Sequence, residues 1–533
     1  MSDVTRPDAD VVVVGYGPVG MAMAVRLAQL GYRVTCLERY AGLYNLPRAA
    51  IFDDETMRTF DQIGIAEHML PLIKPQPNYE WRNADGELLL EVEYAPRGRA
   101  GWAEWYMMYQ PDLESALDAR CRELGVDVRF SSPVVGYTTT EDAVQVHVDG
   151  GESLTAAYVV ACDGGNSFTR SFLGIDEVDH GFAEPWMVCD FRLTGPIDLP
   201  DASQVCNPAQ PQSIISLGPT HHRFSFMLDS EEAFASEADP EKVWRRVSTH
   251  LTPDDAELIR VATYTFRSRI ATRWRSDRIL LAGDAAHQMP PFLGQGMCSG
   301  IRDAQNLAFK LDLILRGLAG PALLDTYQSE REPHVTFVVL KGKELGSIQT
   351  MRDPEAAARR DEEYLARRRA SVTPDKVVFP GLGPGVVRSN DPADGRLAIQ
   401  GRVACPGADG PDSERPADDE PNLFDRVVGY GATLVVDGRA MSRADADGLA
   451  AGSSYVGRVV VVGGDGDVAD PAGDYAAFFD NLGVVGVLVR PDFYMYGCAR
   501  QPGDLGDLVR SYEEALGGSV GQGVQASAPS MRA

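Results

Sequence analysis

The sequence predicts an α/β protein with three parts: a Rossmann-type dinucleotide-binding domain, a β-sheet layer, and a small α/β domain of its own near the C-terminal end. Three observations predict it. A short β-branched run at residues 11–14 leads into Gly15-Tyr16-Gly17-Pro18-Val19-Gly20 and then into an Ala-, Met- and Leu-rich stretch at 21–30. Between Gly181 and Arg269 the chain alternates in the strand manner, as in His222-Arg223-Phe224-Ser225-Phe226-Met227-Leu228. After a Pro-, Gly- and Asp-crowded stretch at 380–425, strand and helix signals return from Val427.

Taken in order, the first element is a buried strand at 11–14, a glycine turn, a helix stopped by Gly31, and a second strand at 33–37 ending at Glu38. A nucleotide-binding βαβ unit requires that order. Gly15 makes the tight turn, Gly17 lets the backbone approach a pyrophosphate, and Gly20 lets helix and strand pack closely. The helix start offers free N–H groups and a positive dipole to phosphates. Glu38, eighteen residues past Gly20, stands where an acid binds ribose hydroxyls. It does not by itself distinguish FAD from NAD.

Two further strands end in acidic turns: 158–162 before Asp163-Gly164, and 278–282 before Gly283-Asp284. Each aspartate reads either as a helix cap or as a ligand to a bound cofactor's hydroxyls. Their occurrence in order after the glycine motif favours the second reading. A tight loop at 290–297 and a long amphipathic helix at 303–318 follow, then a charged, solvated helix at 355–370.

Composition narrows the function. The chain has 533 residues, 50 Lys plus Arg against 77 Asp plus Glu, and a net charge of −27, which argues against nucleic acid and anionic membrane surfaces as partners. It has eight cysteines, none in CxxC spacing, and no His/Cys/Asp/Glu cluster with metal spacing. No stretch approaches 18 apolar residues, and residues 1–15 carry no signal-type segment, so a soluble, unprocessed cytoplasmic protein is expected.

The motifs resemble those of the class A FAD-dependent aromatic hydroxylases, over about residues 10–340. The glycine motif, Cys162-Asp163-Gly164-Gly165-Asn166 and Leu281-Ala282-Gly283-Asp284 carry the resemblance, supported by Leu46-Pro47-Arg48-Ala49, Asp53-Asp54-Glu55 and Tyr109-Gln110-Pro111. Within that family the chain is most similar to 3-(3-hydroxyphenyl)propionate hydroxylases and their polyketide-modifying relatives. The resemblance implies one FAD, reduced by NADPH or NADH, and hydroxylation of a small phenolic substrate with O2 through a flavin C4a-hydroperoxide. It implies that Gly15, Gly17, Pro18 and Gly20 hold the pyrophosphate, with Glu38 and Arg39 at the adenosine ribose. Arg48 and Gln110 would face the flavin chain, Asp284 the ribityl group, and Asp163 the region of FAD and nicotinamide access. Pro291, Gly294, Gly296 and Met297 would lie at the flavin ring. The family usually has Asn where this chain has Cys298, so side-chain recognition of the ring edge is not expected there.

The resemblance also divides the chain: 1–75, 103–178 and 270–375 as the FAD-binding domain, 76–102 and 179–269 as the substrate domain, and 376–425 as a linker. A thioredoxin-like domain without CxxC follows at 426–516, with a disordered tail at 517–533. A homo-oligomer is compatible with this plan. Two motif matches are read as chance. Gly464-Asp465-Gly466-Asp467-Val468-Ala469 imitates a second nucleotide site, but its acids would repel phosphate and Pro471 stops a following helix. Gly517-Gly518-Ser519-Val520-Gly521 imitates a nucleophile elbow without the strand and helix that it needs.

The catalytic base is not legible. His287 reads as a residue that fixes its turn. His221 and His222 read as a surface pair, or one of them (His221 or His222), or Arg223, as a group facing the substrate. The same flavin scaffold also supports Baeyer–Villiger insertion into a polycyclic ketone, or a non-catalytic flavin-binding role.

Overall fold

The computed structural model describes residues 7–44, 48–405 and 422–517. The chain divides into two units. The first is Met1–Gly98, Trp102–Ala304 and Val335–Phe379, and the second is Arg99–Gly101, Gln305–His334 and Pro380–Ala533.

The first unit contains an eight-stranded sheet in which five successive strands, Ile279–Leu281, Ser153–Ala161, Ala9–Val14, Val34–Leu37 and, at the edge, Asp127–Arg129, run parallel. Val12, Val13, Val159 and Val160 are fully buried, as strands covered on both faces require. Register is what builds the site. Val14 pairs with Leu37 and with Ala161, and Ala161 pairs with Leu281. The three motif turns therefore leave the carboxyl edge of the sheet side by side, where open α/β sheets bind ligands.

A second eight-stranded sheet in this unit includes Ala256–Ala271, Glu177–Leu193, His221–Met227, Gln212–Ser216 and Ala202–Cys206. Phe224 and Phe226 point to its rear face and join a core with Val243 and Val247 of the helix Pro240–Val247. Arg223, Ser225 and Met227 take the front face by alternation.

The second unit contains a four-stranded sheet in the order Arg458–Val462, Thr433–Asp437, Gly486–Val489, Met495–Ala499, parallel for the first pair and antiparallel for the other two. With the helices Asp474–Leu482 and Leu505–Gly517 this is a thioredoxin-like topology. Two expected boundaries move. Residues 305–334 group with this unit rather than with the flavin-binding part, because Phe309, Leu313, Ala319 and Leu323 share its core with Leu434, Val461 and Leu508. The expected linker is no free spacer: residues 380–405 are mostly irregular, yet Val386, Ala393, Ala398 and Val403 are buried in this unit. Residues 406–421 and the expected tail beyond Gly517 lie outside the described residues.

Candidate functional site

The glycine motif forms a cradle that side chains would fill. Gly15 has a φ of +95°, and a Cβ there would sit 2.4 Å from the Cys162 carbonyl oxygen. A Cβ on Gly20 would come within 2.1 Å of the Gly15 carbonyl oxygen. Gly17 is different: it caps the helix Pro18–Gln29, and a Cβ on it would meet nothing within 4 Å. The space in front of the helix start is open, with unused N–H groups facing it. Glu38 is fixed beside this turn, because its carboxylate accepts from the Tyr16 N–H at 2.8 Å and the Tyr40 N–H at 3.0 Å. Arg39 is exposed at the same edge, with its guanidinium over the Tyr40 ring.

Asp284 follows the third strand. Its side chain is exposed, yet desolvation raises its pKa above the usual carboxylate value, opposed by the charges of Arg48 and His287. Exposure and desolvation together describe a group open to solvent but closely surrounded by protein, as on the floor of a recess. The carboxylate has no hydrogen-bond partner among the described residues. Its turn is held from behind, where Asp303 accepts from the Gly283 N–H at 3.1 Å and lies 2.6 Å from His287 Nε2.

Arg48 is held through its backbone. The Gln110 amide oxygen accepts from the N–H groups of Arg48 and Ala49 at 2.8 and 2.7 Å, and Gln110 donates in turn to Glu114. The Arg48 carbonyl accepts from Arg223 at 2.7 Å. Leu46 and Pro47 lie outside the described residues. Asp163, by contrast, is drawn into its own turn: its two oxygens accept from the Ser167 hydroxyl at 2.5 Å and the Thr169 N–H at 2.9 Å, at the start of the helix Phe168–Phe172.

The loop at 290–297 ends where the helix Gly296–Leu315 begins. Pro291 is exposed and Met297 half-buried. Gly294 has a φ of +62°, and a Cβ there would lie 2.3 Å from Ile51 Cγ1, so no larger residue fits. Cys298 turns away from the loop surface: its buried thiol lies 3.7 Å from the Gly294 carbonyl, and burial and Asp53 push it up to about 12. A recognition role for that side chain has no geometric basis here.

The two catalytic candidates part company. His222 lies on the rear face beside Phe224, away from Arg48, and burial pushes its pKa down to about 4. Arg223 lies on the front face in an ion pair with Asp190 at 2.6 Å, and Arg260 approaches the same carboxylate at 3.5 Å. Farther along this face, Trp186 pairs across the strands with Tyr264 and Met227. Trp186 also packs against Phe266 and against Phe292 of the 290–297 loop. The Tyr264 hydroxyl and Trp186 Nε1 are buried there without a hydrogen-bond partner among the described residues. A packed aromatic cluster with two unpartnered polar atoms thus joins the sheet to the loop. Sequence reasoning missed Asp190, Tyr264 and Trp186, because strand alternation assigns residues to faces but does not say which face meets another element.

The first of the two chance motifs is spent on local contacts. Arg443 donates to Asp465 through its backbone and to Asp467 through its side chain, and no helix starts until Asp474. Gly518 to Gly521 lie outside the described residues. One group of potential metal ligands, Asp391, Asp394 and Cys498, escaped the spacing analysis because it spans distant segments; Arg500 already pairs with Asp391 there.

Comparison with known proteins adds identity to this geometry. A family described as FAD binding domain matches residues 8–341. A protein of Rhodococcus jostii (strain RHA1) named "Probable NADH-specific resorcinol 4-hydroxylase" is 48% identical over 524 residues, 96% of this chain and 96% of that protein. A 3-(3-hydroxy-phenyl)propionate/3-hydroxycinnamic acid hydroxylase of Mycobacterium avium (strain 104) is 37% identical over 69% of this chain and 66% of its own length. The crystal structure of aklavinone-11 hydroxylase with FAD and aklavinone superposes with a TM-score of 0.78, at 25% identity, covering 96% of this chain and 100% of that one.

Proposed function

The chain belongs to the FAD-binding family of aromatic hydroxylases and is an NAD(P)H-dependent flavoprotein monooxygenase of phenolic rings, and from that premise we propose that its substrate is a compact phenol of the resorcinol type, with NADH as the reductant. The observation that carries this reading is the unpartnered Asp284 carboxylate, at the same sheet edge as the open helix start at Gly17. Both features fit FAD. The N–H groups around Gly15, Gly17, Pro18 and Gly20 would hold its pyrophosphate, Glu38 and Arg39 would face the adenosine ribose, and Asp284 would accept from ribityl hydroxyls. Arg48 and Gln110 would line the chain between them. Asp163, spent on its own turn, would shape the neighbouring surface. Pro291, Gly294, Gly296 and Met297 would border the ring.

A bound FAD would supply hydride acceptance from NADH and activation of O2, the chemistry by which one oxygen atom enters a phenol ring and the other leaves as water. The protein's own work is placement and exclusion of water. Trp186, Phe266 and Phe292, which pack together, would give the substrate apolar walls. The Tyr264 hydroxyl is the group we assign to the phenol oxygen, since a buried hydroxyl without a partner costs free energy that a bound phenol would recover. Arg223 acts through the Arg48 carbonyl rather than on the substrate.

The same reading covers the setting. The net charge of −27 supports a protein that binds neither nucleic acid nor anionic membranes. Among the described residues no helix is long and apolar enough to cross a membrane. The free cysteines support a reducing cytoplasm. A homo-oligomer is part of the proposal, and sedimentation velocity tests it. The deciding experiment is NADH consumption by the FAD-loaded enzyme across a panel of phenols, with NMR of the product. Ring hydroxylation of a dihydroxybenzene supports the reading. Oxygen insertion beside a ketone, or no phenol-dependent turnover, would overturn it.

A further inference from the structure

We propose that Arg302, with Gln295 and Asp53, is a positioning clamp that fixes the 294–297 loop and thereby sets the reduction potential of the bound flavin. The inference rests on the flavin reading above and goes beyond it, since none of these three side chains is assigned to the flavin itself.

The clamp is a closed polar cluster. Arg302 donates to Asp53 at 2.5 Å, to Glu55 at 2.7 Å and to the Gln295 amide oxygen at 2.8 Å. The amide nitrogen of Gln295 donates back to Asp53 at 2.8 Å. The other Asp53 oxygen accepts from the N–H and hydroxyl of Thr56 at 2.9 and 2.7 Å. Gln295, Arg302, Asp53 and Glu55 are all buried. Both ends of the Gln295 amide are therefore engaged, which leaves it one orientation.

Its location gives the cluster a purpose beyond stability. Gln295 stands between Gly294 and Gly296, the two residues of the loop with the least intrinsic stiffness. Gly294 is already wedged against Ile51, on the same short strand, Ile51–Asp53, that supplies Asp53. One strand thus grips the loop twice, by contact at Gly294 and by hydrogen bonds at Gln295. The backbone N–H groups of Gly296 and Met297 open the helix Gly296–Leu315 and have no intrahelical acceptors. A reduced flavin carries more negative charge at its edge than an oxidised one, so fixed donors favour the reduced form, and donors that wander favour it less. A cluster that served stability alone would leave that preference unchanged when loosened.

Arg302→Lys keeps the charge but loses the fork that reaches three acceptors at once. Gln295→Met keeps the side-chain volume, removes both amide bonds and leaves the Arg302 ion pairs in place. The measurement is the midpoint potential of the FAD-loaded enzyme, with the Kd of oxidised FAD and the melting temperature taken alongside. The expected result is a loss of about tenfold in the preference for the reduced form, about 30 mV downward for a two-electron couple, with oxidised FAD bound within about threefold of the parent. A change of threefold or more in either folded variant supports the clamp. A smaller change in every variant that folds and binds FAD overturns it, including the case where only the melting temperature falls. Should Arg302→Lys fail to fold, Gln295→Met decides alone. A parent enzyme that takes up no FAD overturns the flavin reading itself; normal FAD uptake with unmoved potentials overturns the clamp only.

Discussion

Replacing Asp284 with Ala separates a ligand-binding carboxylate from a structural one by the sign of two effects. In the unliganded protein the Asp284 side chain has no hydrogen-bond partner among the described residues, and desolvation raises its pKa from 3.8. A carboxyl whose pKa is higher folded than unfolded works against folding once ionised: the penalty is absent below the unfolded pKa, builds as pH rises to the folded pKa, and is complete at pH 7. Asp284→Ala should therefore leave the FAD-free protein as stable as the parent at pH 7, or more so. With FAD bound the sign reverses. The lost charge-assisted hydrogen bond is worth about 1.5–3 kcal/mol, which weakens FAD binding by roughly 10- to 150-fold. Fluorescence titration of the apoprotein with FAD gives the Kd, and thermal melts with and without FAD give the two stabilities. A Kd within twofold of the parent, or an FAD-free protein destabilised by more than about 1 kcal/mol, would refute the argument, the second because it reveals a structural partner.

Three other outcomes are expected. Glu330→Gln should cost the second unit about 3–5 kcal/mol in urea melts, because the buried carboxylate accepts from Asn306, Lys310, Arg490 and the Val386 N–H, and a neutral amide leaves buried cations uncompensated. Burial pushes the Glu330 carboxyl up, but Arg490 and Lys310 overcome it and draw the pKa down from 4.5 to about 2; the stability it contributes is present above pH 4.5 and lost as pH falls toward 2, and the Gln variant should lack that part of the acid dependence. Joint replacement of Cys405 and Cys498 with Ser should leave turnover nearly unchanged, since burial and Asp394 push the Cys498 thiol up and away from reactivity; a specific loss in a well-folded double variant would mean redox chemistry in the second unit. Anaerobic stopped-flow reduction by NADH should be much faster with a bound phenol than without, as a flavin shifted between positions by substrate requires; equal rates would contradict such gating.

The parts of this molecule that follow local rules are legible in its sequence. The βαβ unit at Gly15, Gly17 and Gly20 and the turns at Asp163 and Asp284 announce themselves because each is a strand followed at once by residues with special backbone needs. What is not legible depends on partners brought together from distant segments. Asp53 and Arg302 meet from 249 residues apart, and Asp190 gathers Arg223 and Arg260 only because three strands lie in one register. Adjacent candidates such as His222 and Arg223 look equivalent until pleating sends them to opposite faces. The division at residues 305–334 is hidden for the same reason, since a continuous helical pattern does not say whose core its apolar residues join.

The side-by-side alignment of Val14, Ala161 and Leu281 has a consequence for how the chain acquires its cofactor. The cradle exists only after three segments separated by long stretches of sequence have paired, and closing such long loops is slow and comes late in folding. With Asp284 and the loop after it holding FAD as proposed, FAD would not template the early chain, because the N-terminal βαβ unit alone presents neither of them. The cofactor acts instead on the finished fold, by mass action, and raises its stability in proportion to the logarithm of free FAD over its dissociation constant. Cells short of FAD would then accumulate a folded but empty protein rather than a misfolded one, and it would regain its colour when flavin is supplied.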